Sequence, residues 1–320
     1  MKNNTCFQSS VDTEKKENTP MSHRFPHGGL RSYINVCRSG REGRASMWLA
    51  VLCVLCLLPG GPALPLPGEA GGHSESQWRQ AQEYLKRFYP SNSKPRASNG
   101  IGAQLKQMQK FFRLPESGVL DSRIIVIMQK PRCGLPDVGG YSPSRNTPKW
   151  TSQVVTYRIG SYTRDIPRVT VNQLVAKAFN MWSKEIPLSF RRVTMGTADI
   201  MIGFARGAHG DFYPFDGPGG TLAHAFQPGP GLGGDAHFDQ DEHWTDGKGI
   251  GVNFLVVATH ELGHSLGLGH SSDPNSVMYP TYGVGDAENF ELSPGDIREI
   301  QELYVQILPE SVPLRGCSEE

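Results

Sequence analysis

Eleven consecutive residues, His260 to His270, read His-Glu-x-x-His-x-x-Gly-x-x-His. Two histidines four apart share one helix face, a turn from each other. His260 and His264 can therefore aim both rings at one metal ion. Glu261 then stands where it can reach a water on that metal as a general base. Gly267 lets the helix stop and the chain turn, because glycine takes left-handed dihedrals at little cost. That turn carries His270 to the same ion. Three protein ligands with an open fourth position make a catalytic zinc site, whereas structural zinc sites fill all four. His-Glu-x-x-His alone recurs by accident in many proteins; the added glycine and histidine remove most of that ambiguity. Met278, eight residues after His270 in Ser-Val-Met-Tyr-Pro, matches the Met-turn expected after such a motif.

Other metal-binding residue types crowd the segment before the motif. His209, Asp211, His224 and His237 supply three imidazoles and a carboxylate, enough for a closed tetrahedral zinc. Their spacing is irregular, and spacing alone favours ordinary surface histidines. Oxygen donors are also dense, in Asp216-Gly-Pro-Gly-Gly-Thr221, Asp239-Gln-Asp-Glu242, Asp199 and Gly231-Leu-Gly-Gly-Asp235. Hard oxygen ligands on loops suit calcium, and solvated Asx turns account for the same residues equally well.

The elements that must position these groups follow from periodicity. Residues 74–89, 102–112 and 121–130 read as helices, with Asp121 a candidate N-cap, so 64–130 is a small helical unit. Residues 141–150 are rich in Pro, Ser and Asn and read as a linker. Strands are expected at 154–159, 188–193, 199–204, 222–226 and 236–238. A long amphipathic helix is expected at 170–185, the zinc helix from Asn253, and a last helix opening on Ser293-Pro294. This order gives an α+β domain of about 160 residues.

Residues 49–58 form an apolar run of ten behind Arg41 and Arg44, with small residues ending at Ala63. That is the pattern of a secretory signal at 47–63, too short to span a bilayer. Residues 1–46 are a polar, aperiodic extension upstream of it. Of six cysteines, only Cys133 and Cys317 lie beyond the signal, so no disulfide scaffold is expected. A net charge of +1 over 320 residues gives no case for nucleic acid as a partner.

Pro131-Arg132-Cys133-Gly134-Leu135-Pro136-Asp137 resembles the cysteine-switch sequence of the matrix metalloproteinases. The zinc motif and Met-turn resemble theirs too, as does Ser271 after the third histidine. The likeness runs from the signal to about Tyr304, leaving 306–320 as a tail. With the sequence ending at 320, no haemopexin domain is expected, as in the minimal members of that family. The resemblance implies a metzincin-type zinc protease domain at 141–305, a twisted mixed sheet with three helices. A helical propeptide at 64–140 would precede it, with Cys133 as the fourth zinc ligand of the latent form.

It further implies two zinc ions, one catalytic and one structural, and about two calcium ions. The structural zinc falls to His209, Asp211, His224 and His237. One calcium falls to Asp216, Gly217, Gly219, Thr221, Asp239 and Glu242, the other to Asp199, Gly231, Gly233 and Asp235. Val256, four residues before His260, stands where the family shapes its specificity pocket; its small size implies a deep pocket. Gly295-Asp296 stands where the family often has two adjacent aspartates. The implied protein is a secreted, monomeric endopeptidase made as a zymogen. It would cleave extracellular proteins, be activated by another protease near Tyr141, and meet protein inhibitors of metalloproteinases. The competing reading is a non-catalytic zinc-binding interaction module; retention of Glu261 speaks against it.

Overall fold

The computed structural model describes residues 72–90, 100–138, 147–282 and 290–304. The expected signal, the upstream extension, the linker around Tyr141 and the tail lie outside them. Three helices come first: α1 (Glu75–Phe88), α2 (Gly100–Phe111) and α3 (Ser122–Met128). A capping box opens α1, in which Ser74 Oγ accepts from Gln77 N and Ser74 N donates to the Gln77 side chain. Asp121 caps α3, accepting from Ile124 N at 3.0 Å. Leu85, Leu105, Met108, Leu120 and Ile124 fill the core between them.

Next come β1 (Arg132–Cys133), β2 (Val154–Ile159), α4 (Arg168–Ser183), β3 (Ser189–Arg192) and β4 (Ile200–Ala205). Then follow β5 (Thr221–Ala225), β6 (Ala236–Asp239), β7 (Trp244–Thr245), β8 (Val252–Asn253), α5 (Phe254–Ser265) and α6 (Pro294–Tyr304). One sheet has the order β1-β5-β6-β4-β2-β3, and β7 pairs with β8 separately. Within the main sheet only β5 and β6 run antiparallel, so the sheet is mixed as expected. A second core, built on Val155, Phe179, Trp182, Ile200, Phe238 and Leu262, joins this sheet to α4 and α5.

The sequence reading misses some ends and some short strands. The α4 helix begins at Arg168, two residues before the expected start, because Pro167 occupies its N-cap and its carbonyl accepts from Val171 N. The α3 helix stops at Met128 rather than 130, where Lys130 N turns back to the Ile127 carbonyl. Strands β1, β7 and β8 are two residues each, too short to show alternation. Among the described residues, no helix is long and apolar enough to cross a membrane.

Candidate active site and metal centres

The α5 helix carries the first two histidines through the middle of the second core. Asn253 caps it, accepting from Leu255 N at 3.0 Å. Every residue of the helix is buried except Val256, which is half-buried. Trp182 Nε1 donates to the Thr259 carbonyl and ties α5 to α4. Beneath the helix Met278 is wholly buried, and a Cβ at Gly263 would collide with its sulfur. The Met-turn thus packs where α5 has no side chain. At the far end Gly267 has a φ of +106°, and a Cβ there would stand 2.5 Å from the Pro148 carbonyl. The turn that brings back His270 therefore demands glycine on two grounds.

Cys133, His260, His264 and His270 present ligand atoms all within 4.8 Å of one another. His260 Nδ1 donates to the Val277 carbonyl at 2.6 Å and His264 Nδ1 to the Leu268 carbonyl at 2.9 Å. A carbonyl can only accept, so each Nδ1 carries the proton and each Nε2 presents a lone pair. The two Nε2 atoms face each other at 3.0 Å. Burial, and then the neighbouring imidazoles, hold both rings well below the usual histidine range, hence neutral. Two facing lone pairs, with His270 Nε2 buried beside them, suit a cation held among the three rings. Neutral imidazoles and a cysteine are the donor set zinc takes.

Cys133 Sγ lies 3.5 Å from His264 Nε2 and 3.6 Å from Glu261 Oε2. Burial and then Glu261 push its thiol well above the ordinary value; a divalent cation among the imidazoles opposes both effects. Burial also pushes Glu261 up to about 8. Backbone pairing seats the cysteine. Strand β1 lies parallel to β5, with Arg132 N donating to the Gly220 carbonyl and Gly134 N to that of Ala223. On its other side, Cys133 N donates to the Pro280 carbonyl and Tyr282 N to that of Pro131.

The scattered histidines converge. His224 on β5 and His237 on β6 are direct partners in the antiparallel register. Asp211 Oδ2 lies 2.7 Å from His224 Nε2, 2.7 Å from His237 Nδ1 and 2.9 Å from His209 Nε2. His209 Nδ1 donates to the Gly207 carbonyl, which leaves its Nε2 lone pair facing a carboxylate oxygen. Burial takes His224 down to about 4. The group fits a cation better than it fits a hydrogen-bonded surface cluster, so the default of surface histidines fails here.

The oxygen-rich loops divide. Glu242 Oε1 accepts from Gly219 N at 2.6 Å, Asp216 Oδ1 from Thr221 N at 3.0 Å, and Asp239 is buried with Oδ2 unpartnered. Burial raises Asp239 to about 6 and Glu242 to about 7. Such crowded, desolvated carboxylates suit a hard cation. In the other group Asp235 is buried, raised to about 6, and accepts from Met201 N. Asp199 is exposed there, and its Oδ2 accepts from Thr156 N and Oγ1. Gly217 and Gly231 both take positive φ, at +87° and +70°, in their loops; Gly233 lies against Gly229.

Three contacts escape sequence reasoning. Tyr282 donates to Glu261 Oε1 at 3.3 Å. Asp296 accepts from Ser276 Oγ, Val277 N and Ser293 N and so braces the Met-turn from α6; with Gly295 beside it, no free aspartate stands at that position. Tyr84 and Tyr89 bond to Arg132 and Asp137 of the switch segment. Nothing in spacing signals these pairs, because each joins segments far apart in the chain.

A buried tri-histidine cluster with an adjoining glutamate, on a mixed α+β sheet, defines a zinc metalloendopeptidase. Residues 149–305 match the family model described as Matrixin, a peptidase family, and residues 74–128 match one described as a putative peptidoglycan binding domain. The chain is 80% identical over 253 residues to a matrilysin of Felis catus, covering 79% of this chain and 97% of that protein. It is 71% identical to the Homo sapiens matrilysin, over 81% of this chain and 97% of that one. It is 47% identical to stromelysin-2 of Rattus norvegicus, over 80% of this chain and 55% of that one. The chain belongs to the matrix metalloproteinase family, as the switch sequence and zinc motif implied.

Proposed function

We propose that this protein is a secreted endopeptidase made as a zymogen, with Cys133 closing the active site until the segment before Tyr141 is removed. The observation that carries this reading is the convergence of Cys133 with His260, His264 and His270. A zinc ion, when bound by the three imidazoles, supplies the electrophile that acidifies water and polarises a peptide carbonyl. The chain's own part is played by Glu261. Its carboxylate is buried beside the cluster, where it can take a proton from the attacking water and return it to the leaving amine. The Cys133 sulfur stands beside that carboxylate, where the water must stand.

Strand β1 occupies the edge of β5. Once it leaves, that edge is free to pair with an extended substrate, and the residue after the scissile bond enters beside Val256. His209, Asp211, His224 and His237 hold a second, structural zinc. The two loop groups hold calcium, the Asp239–Glu242 group being the better supported. Residues 47–63 direct secretion. An external protease activates the zymogen, the substrates are extracellular proteins, and protein inhibitors of metalloproteinases are its natural partners. The test is cleavage of a quenched peptide by the activated protein. Chelation should abolish activity and added zinc restore it; cleavage that survives exhaustive chelation would sink the proposal.

A further inference from the structure

The three imidazoles differ in what holds their outer nitrogens. Those of His260 and His264 donate to carbonyls of Val277 and Leu268, which remain when the segment before Tyr141 leaves. Neither ring nitrogen of His270 makes a well-aligned hydrogen bond. Its Nδ1 lies 2.9 Å from Asp137 Oδ1, with both side chains wholly buried. The Pro136 carbonyl also faces the ring. Both neighbours belong to the switch segment.

Asp137 is itself held firmly. Arg132 Nη2 reaches its Oδ1 at 2.5 Å and Nη1 its Oδ2 at 3.2 Å. Tyr89 donates to Oδ2 at 2.5 Å. Arg132 is fixed in turn over the Phe88 ring, 3.6 Å from its centroid, and by the Tyr84 hydroxyl. A carboxylate so placed against a ligand imidazole fixes the ring's orientation and tautomer and strengthens its lone pair.

We infer that Asp137 is a positioning residue for the metal centre, holding the His270 ring toward the ion for as long as the switch segment is in place. The segment then grips the site at two points, the Cys133 sulfur and the third imidazole. Activation removes both. This rests on the reading of the chain as a latent zymogen.

The experiment uses the zinc-loaded zymogen carrying Glu261→Gln, so that it does not process itself, with nitrogen-labelled histidine. In Asp137→Asn the Nδ1–H resonance of His270 should move while those of His260 and His264 stay. Zinc release to a chelating dye should quicken roughly 10- to 100-fold, with the Cys133 thiol still closed to reagent. Cutting away the segment with an added protease, which needs no substitution in the switch, also takes the Cys133 sulfur from the site, so all three signals should move, that of His270 the furthest. An unmoved His270 resonance with an unchanged release rate overturns the inference. So does equal movement of all three signals in Asp137→Asn, or a thiol opened by that substitution. A zymogen whose zinc carries no sulfur ligand contradicts the latent-zymogen reading instead.

Discussion

The two histidine clusters reach the same ligand count by opposite means. At the α5 site, two rings ride one buried helix, the third follows a glycine turn, and the fourth donor, Cys133, comes from 127 positions upstream of His260 (260 minus 133). At the loop site all four donors lie between 209 and 237, and Asp211 closes the set from within. A cluster closed by its own carboxylate has no place for substrate or water. A cluster closed by a residue on a separable segment can be opened. The two candidate metal clusters thus differ in the origin of the fourth donor rather than in the chemistry of the histidines.

Four substitutions test this contrast. Glu261→Gln should lower kcat of the activated enzyme by roughly 10²- to 10⁴-fold while zinc content stays the same; an enzyme that keeps its kcat would remove the general base from the account. Cys133→Ser should open the α5 site in the uncut chain, so that the zymogen cleaves peptide before processing. A zymogen that stays latent without the thiol would show that closure has another source. Val256→Tyr should shift preference toward smaller side chains after the scissile bond by roughly 10- to 200-fold; identical peptide profiles would separate Val256 from the pocket. His224→Ala should act on the fold rather than on the chemistry. A loss of about 3 kcal/mol would lower Tm by roughly 6–12 °C, with the catalytic zinc retained. Equal melting curves would show that the loop cluster adds nothing to stability.

The contrast also explains what the sequence makes legible. The α5 site is readable because helix geometry converts a spacing of four into a shared face, and Glu261 and Gly267 have meaning only in that frame. The loop site is unreadable by the same logic. His224 and His237 meet because β5 and β6 pair antiparallel in one register, and register is decided by the whole sheet. Only resemblance to the family marks them as ligands. The helices of both cores are visible as periodic stripes, with errors of about two residues at ends where a cap or a proline decides. Strand β1 leaves no trace in two residues, since it exists only by pairing with β5. The buried pairs Tyr282–Glu261, Asp296–Ser276 and Asp137–His270 lie beyond sequence reasoning for the same reason: each is a tertiary contact between unlike segments.

Latency turns on the switch cysteine supplying the fourth ligand of the α5 site. X-ray absorption at the zinc edge reads this directly, applied to the zymogen with His224→Ala so that one site dominates. One sulfur at about 2.3 Å is expected beside nitrogen ligands at about 2.0–2.1 Å, the sulfur vanishing once the segment before Tyr141 is cut away. A zymogen spectrum with only nitrogen and oxygen neighbours, unchanged by activation, would contradict it.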